Sequence, residues 1–154
     1  MIRKIEKDDK ELFLRLTRAF YASPAVLHSV PDSYHTAVFE EMMRSDVYAE
    51  GYFLLADDGT VSGYALLAKT YSHEAGGLVV WIEEIYTAPE ARGKGLGSEF
   101  FTFLEKRYGG VARRLRLETE PENERAEALY RRLGFEALGY RPFYKELNCD
   151  ERNV

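Results

Sequence analysis

The chain carries one cysteine, Cys149, so no disulfide can close within it, and a lone thiol this near the C-terminus reads as a surface residue of a frayed tail. No stretch approaches the roughly eighteen consecutive apolar residues of a membrane-spanning helix. The opening MIRKIEKDDK is charged where a secretory leader has an apolar core. The expectation is a cytoplasmic protein without membrane attachment. Basic residues are in the minority: 21 Lys and Arg against 26 Asp and Glu leave a formal net charge of -5. That balance argues against nucleic-acid binding, which draws on many cationic contacts to phosphate. It is compatible with a cationic substrate. His28, His35 and His73 have no metal-ligand spacing and no cysteine nearby, so no metal site is expected. Repeats, low-complexity segments and linkers are missing, and so is the G-x-S-x-G elbow of a serine hydrolase.

What remains is the pattern of one compact domain. A length of 154 residues with 45% hydrophobic content suits a single core, placed here at residues 1–147, with 148–154 as a loose tail. Ile2 to Ile5 reads as a strand. Lys10 to Tyr21 reads as a helix, with Asp8 or Asp9 as its cap and Leu12, Leu16, Ala19 and Phe20 on one face. Pro31-Asp32-Ser33 opens a second helix that carries Val38, Phe39, Met42 and Met43. Asp58-Gly59 signals a hairpin between strands at Tyr52 to Ala56 and Val61 to Lys69. Further strands are read at Val79 to Thr87 and Leu115 to Thr119. Helices are read at Ser98 to Arg107 and after Asn123, the latter ended by Gly134 in the left-handed conformation. Phe135 to Tyr140 and Phe143 to Leu147 are expected to close the sheet. The order βααβββαβαββ is an α/β layout, a mostly antiparallel sheet with one parallel pair where a helix crosses over.

The densest signal is Arg92-Gly93-Lys94-Gly95-Leu96-Gly97, between an apolar strand and an amphipathic helix. Three glycines remove the Cβ atoms that would hold an anion away from the main chain. The first-turn amides of the following helix have no partner inside it, and its dipole adds positive charge there. Arg92 and Lys94 contribute full charges, so a di- or polyphosphorylated ligand at a helix N-terminus is expected. A tight, solvated turn is the plain alternative. A P-loop is ruled out because Gly95 follows Gly93-Lys94 and Ala88 stands five before Gly93. A dinucleotide fingerprint breaks at Ser98. The pattern that fits is R-x-x-G-x-G, as Arg92, Gly95 and Gly97.

About thirty residues on, Asn123, Ala126, Ala128, Leu129, Tyr130, Leu133, Gly134 and Phe135 form a second pattern. Together the two resemble the GNAT superfamily of N-acetyltransferases, closely over residues 51–147 and only in layout over 1–50. The resemblance implies that the fourth and fifth strands splay apart. It implies that a coenzyme A pantetheine arm lies along Ile85, Tyr86 and Thr87, with the pyrophosphate at Arg92, Gly93, Lys94, Gly95, Leu96 and Gly97, and with Asn123 near the cofactor. Read without the resemblance, Asn123 is an N-cap and Tyr130 a core aromatic.

Transfer from acetyl-CoA to an amine needs a neutral nitrogen, yet an alkylamine of pKa near 10.4 is only roughly four parts in ten thousand neutral at pH 7. A base must take the proton. Ile82-Glu83-Glu84-Ile85 resembles the Leu-Glu-Asp-Phe strands of diamine and polyamine acetyltransferases, which points to Glu83 as base and Glu84 as second choice. Strand alternation lets only one of them face the site. Tyr130 matches the family's general acid, which protonates the departing thiolate. The expected function is direct acetylation of a primary amine on a small molecule, with acetyl-CoA as cosubstrate. Dimerisation is expected on family grounds alone. The competing readings are a non-catalytic CoA-binding or protein-interaction module and a peptide or protein N-acetyltransferase. The acceptor is left open among polyamine, diamine, amino acid, aminoglycoside and peptide N-terminus.

Overall fold

The computed structural model describes residues 1–147, so the tail at 148–154, Cys149 included, lies outside the described residues. The chain gathers into two compact units, Met1–Glu118 and a second that begins at Thr119. The first unit holds a five-stranded mixed sheet in the order β1-β2-β3-β4-β5. Its strands are β1 (Ile2–Lys4), β2 (Ala49–Leu55), β3 (Val61–Ser72), β4 (Gly77–Thr87) and β5 (Arg114–Leu117). All neighbours are antiparallel except β4 and β5. Helices α1 (Lys10–Tyr21) and α2 (Asp32–Arg44) follow β1, and α3 (Leu96–Tyr108) makes the crossover between β4 and β5. The second unit contains α4 (Glu124–Arg132).

Alternation along the strands gives the sheet two apolar faces. Phe53, Tyr64, Leu66 and Tyr86 share one face and pack with Phe13 and Leu14 of α1 and Phe39 and Met42 of α2. Phe13 meets Tyr64 edge-on at 5.7 Å, a pairing worth about 0.5–1.5 kcal/mol beyond the buried area. On the opposite face Tyr52 packs against Phe100 and Phe103 of α3. Helix α3 buries Leu96, Phe100, Phe101, Leu104 and Tyr108, with Phe103 partly buried.

Two local expectations change. Asp9 occupies the N-cap of α1 without a side-chain capping bond there, because its carboxylate accepts from the Glu6 amide and pairs with Arg3 at 2.8 Å. The closing strands at Phe135 to Tyr140 and Phe143 to Leu147 are not formed: these residues carry no regular secondary structure, and Tyr140, Phe143, Tyr144 and Leu147 are exposed. Their aromatic composition favours a pleated, half-buried surface, but that preference acts only through a paired neighbour. Gly139 and Pro142 interrupt the run, and Pro142 lacks an amide donor for a ladder.

Glu50 of β2 is 1% exposed and anchors the C-terminal end of α3. Its carboxylate accepts from Lys69 Nζ at 2.5 Å, from the Tyr108 hydroxyl at 3.0 Å and from the Tyr52 hydroxyl, and Arg107 approaches at 3.4 Å. Burial disfavours its charge, but the bonds from Lys69, Tyr52 and Tyr108 and the Lys69 charge outweigh that and bring its pKa down to about 2. The same burial, with Glu50 adjacent, pushes Tyr108 up to about 12. A folded pKa below the unfolded value stabilises the protein above the ordinary carboxylate value of 4.5 and is lost as pH falls toward 2. Glu50→Gln should cost about 3 kcal/mol at neutral pH by leaving buried cationic and hydroxyl partners unmatched. Denaturant unfolding checks this, and the wild-type melting temperature should fall more steeply than the variant's between pH 4.5 and 2.

Candidate active site

Strand β4 changes partners partway along its length. Between Val79 and Ile82 it runs parallel to β5, residue for residue from Arg114 to Leu117. The Arg116 guanidinium lies 3.9 Å from the centre of the Trp81 ring, a stacked cation–π contact between register partners. Beyond Ile82 the pairing with β5 ends, while β4 stays paired with β3 as far as Thr87. The expected splay therefore begins at Glu83. A bulge sits at the same point: Leu67 pairs with Ile82 and Leu66 with Glu84, leaving Glu83 as the extra residue. A bulge re-aims side chains and strengthens local twist. It also breaks the strict alternation on which the choice between Glu83 and Glu84 rested.

Farther along, β4 is held close to β3 by Gly63, where any Cβ would collide with the Tyr86 carbonyl. The Tyr86 side chain is buried in the core under α1, so only its main chain is left for a ligand. Ile85 and Thr87 are half-buried. Pro89–Ala91 forms a single 3-10 turn into the glycine loop. Arg92 Nε donates to the Thr87 carbonyl at 3.2 Å and so stays beside the strand end.

Gly93 and Gly95 take left-handed φ values of 77° and 82°, which explains glycine at both positions. Gly95 is the N-cap of α3, and its carbonyl accepts from the Glu99 amide at 2.9 Å. The amides of Leu96, Gly97 and Ser98 therefore have no partner in the helix. Gly97 has an ordinary φ, and a Cβ added at Gly93, Gly95 or Gly97 would meet nothing within 4 Å. The glycines leave open approach to these donors, with the exposed Arg92 and Lys94 alongside. A pyrophosphate fits this cradle. Leu96 instead points its side chain into the core.

The two carboxylates on β4 have different surroundings. Glu83 forms no hydrogen bond or ion pair among the described residues. Solvent reaches it, yet the protein packed around it disfavours its charge, and Glu84 and Glu118 add like-charge repulsion; its pKa is raised. Glu84 is clamped: Tyr21 donates to Oε1 at 2.8 Å and Tyr64 to Oε2 at 2.6 Å. Burial and the Glu84 charge push both phenols well above their ordinary range, so they stay protonated as donors. This clamp was invisible in the sequence, since its members lie 63 and 20 residues from Glu84.

In the second unit, Asn123 is the N-cap of α4 and accepts from the Ala126 amide at 3.1 Å, so its plain structural role is present. Tyr130 is half-buried, meets Phe135 edge-on at 6.0 Å, and burial raises its pKa. Gly134 ends the helix at a φ of 85° as expected. The segment between Thr70 and Gly77 proves to be the tight end of the β3–β4 hairpin, with Ser72 opposite Gly77.

Residues 12–135 match the model of the acetyltransferase (GNAT) family. A thialysine N-epsilon-acetyltransferase from Bos taurus is 32% identical over 155 residues, covering 90% of this chain and 85% of that protein. Among solved structures, an integron cassette protein from the mobile metagenome of Cole Harbour Salt Marsh matches at a TM-score of 0.80 with 24% identity, over 97% of this chain and 91% of that one. The aminoglycoside N-acetyltransferase AAC(6')-Iy in complex with CoA matches at 0.75 with 25% identity, over 95% of this chain and 93% of that one. No helix among the described residues is long and apolar enough to cross a membrane.

The loop geometry separates folding from binding at one position. Gly97→Ala adds a methyl group to open space at an ordinary φ, so the melting temperature should hold or rise slightly. The same methyl intrudes on the amide cradle and should raise the Kd for CoA by about tenfold, the worth of one charge-assisted hydrogen bond. Isothermal titration reads the second effect and thermal unfolding the first.

Proposed function

Because the chain belongs to the GNAT acetyltransferase family, we propose that it transfers an acetyl group from acetyl-CoA directly to a primary amine of a small molecule, with Glu83 accepting the amine proton. The observation that carries this reading is an unpartnered carboxylate of raised pKa on the bulge where β4 leaves β5. A carboxylate bonded on both oxygens, as Glu84 is, has less freedom to exchange protons with a substrate. The bovine relative is named for acetylating an amine, and so is the aminoglycoside enzyme, which supports an amine as acceptor.

Acetyl-CoA supplies an activated acyl carbon, and the chain's residues supply position and proton handling. The free edge of β4 from Glu83 to Thr87 offers amides and carbonyls to an extended arm, in the manner of an added strand. Arg92, Gly93, Lys94 and the first-turn amides of Leu96, Gly97 and Ser98 hold the pyrophosphate. Glu83 takes the proton as the amine nitrogen bonds to the acyl carbon, directly or through one water. The carbon–sulfur bond then breaks with its electron pair on sulfur, and the Tyr130 hydroxyl gives that sulfur a proton. Its raised pKa keeps the phenol protonated and ready to donate. Asn123 contributes to the cofactor side while capping α4.

A base with a raised pKa moves the acid limb of the rate profile. Activity at saturating acetyl-CoA should fall as pH drops through a value above the ordinary carboxylate figure of 4.5, because protonated Glu83 cannot accept. Glu83→Gln should lower turnover at least about tenfold and remove that limb, with CoA affinity unchanged. A rate equal to wild type across the pH range would exclude Glu83 as base. Tyr130→Phe keeps the ring and should lower turnover with the melting temperature within about 2 °C of wild type, the shift expected of an almost neutral change. An unaltered rate would leave Tyr130 a packing residue.

A further inference from the structure

Carboxylates from two strands meet where β4 and β5 part, and strand register places them. Residues paired across a ladder share a face of the sheet, as do residues two apart along a strand. Leu66 lies on the face covered by α1 and α2, so its partner Glu84 does too. Ala68, two residues on from Leu66, puts its own partner Trp81 on that face. Ile82 is the last rung of the β4–β5 ladder, opposite Leu67 and Leu117, and belongs to the other face. Glu83 follows Trp81 by two residues and occupies the bulge, so it joins Glu84 on the helix-covered face instead of opposing it. Tyr21 of α1 senses both acids: burial raises its pKa first, and the Glu84 and Glu83 charges add to it.

The third carboxylate comes from β5. Arg116 is the partner of Trp81 and stacks on its ring, which puts it on the same face. Glu118 lies two residues farther on, and its Oε1 is 3.9 Å from an Arg116 guanidinium nitrogen. Glu83 and Glu118 are therefore the first residues past the last rung, one on each lip of the fork. The charged and titratable groups that face Glu83 are Glu84 from its own strand, Glu118 and Arg116 from β5, and Tyr21 from α1. Behind them stand Tyr64 of β3, bonded to Glu84, and His35 of α2, packed on Tyr21. Burial raises the Glu83 pKa, and the Glu84 and Glu118 charges add to it.

A carboxylate that must take a proton from an alkylammonium gains driving force as its proton affinity rises, and a like charge beside it raises that affinity. We propose that Glu118 is a positioning residue for the transfer: held by Arg116 on the opposite lip of the fork, its charge acts through Glu83 and sets the pH at which Glu83 can accept a proton. This role rests on the reading of Glu83 as the base. Arg116 opposes the effect by offsetting the Glu118 charge, and the Trp81 ring fixes Arg116 in place.

Glu118 is exposed, so Glu118→Gln should fold as the wild type does. In the intact protein, the side-chain carboxyl carbon resonance of Glu83 followed against pH should show a midpoint lower by about 0.5 or more in this variant. The acid limb of kcat at saturating acetyl-CoA should move to lower pH with it, and turnover at neutral pH should fall about two- to threefold because the base is weaker. Glu118→Asp keeps the charge and should keep the midpoint within about 0.2 of wild type. Arg116→Gln should move the midpoint upward. A loss of rate in Glu118→Gln with the midpoint and the acid limb unmoved overturns the proposal, and so does a midpoint that falls in Arg116→Gln. If the midpoint follows Glu118 while Glu83→Gln acetylates at the wild-type rate, the reading of Glu83 as base fails and the coupling across the fork stands. If Glu83→Gln loses turnover and Glu118→Gln leaves the midpoint in place, the base stands and the role of Glu118 falls.

Discussion

The parting of β4 from β5 after Ile82 is the constraint on which the rest of the site depends. Up to that residue the two strands are parallel neighbours, tied by ladder bonds and by the Arg116 guanidinium stacked on Trp81. Past it, β4 remains bound to β3 and has no ladder partner on its other edge among the described residues. A free edge of unpaired amides and carbonyls is ordinarily a hazard for aggregation. Here the strand runs directly into a glycine loop whose helix-first-turn amides are open to approach. The bulge at Glu83 falls on the fork itself, one residue past the last β4–β5 pair.

Helix α3 converts that local event into a rigid frame. Its N-terminus presents the open amides of Leu96, Gly97 and Ser98, and its body is buried through Phe100, Phe101 and Leu104. Its C-terminal end is held by the Glu50 cluster, in which Tyr108 and Arg107 meet Lys69 and Tyr52. The buried polar network is thus concentrated at the end of the helix away from the glycine loop. Glu83 and Glu84 divide labour by a similar logic. One carboxylate forms no hydrogen bond among the described residues and its charge is disfavoured; the other accepts one phenol hydrogen bond on each oxygen, from α1 and β3. Adjacent acids in different environments take different roles.

The sequence made the frame legible and left the pocket hidden. Helix α1 is legible as a helix, but its buried residues are Phe13, Leu14 and Thr17, while of the expected face Leu12, Leu16 and Phe20 are only partly buried and Ala19 is exposed. The β2–β3 hairpin follows from Asp58-Gly59, and the loop from three glycines of which two adopt left-handed φ. These signals are local: periodicity, turn chemistry and capping act within a few residues. The strands expected at Phe135 to Tyr140 and Phe143 to Leu147 do not form because strand-like composition does not specify a ladder partner. The bulge at Glu83 left no mark either, since it arises from register against β3. Tyr21, Tyr64 and His35 are ordinary amphipathic-face and strand aromatics until the fold brings them to Glu84. Tertiary convergence of this kind is what a single sequence conceals most completely.

On this reading β4 from Glu83 onward and the first turn of α3 form one continuous binding edge for CoA. Amide-resolved NMR titration of the full chain with CoA tests it most directly. The largest shift changes should fall at residues 83–87 and 95–98, with the β1–β2 pair and the Glu50 cluster unmoved. Perturbations confined to the glycine loop, or concentrated away from β4, would contradict it.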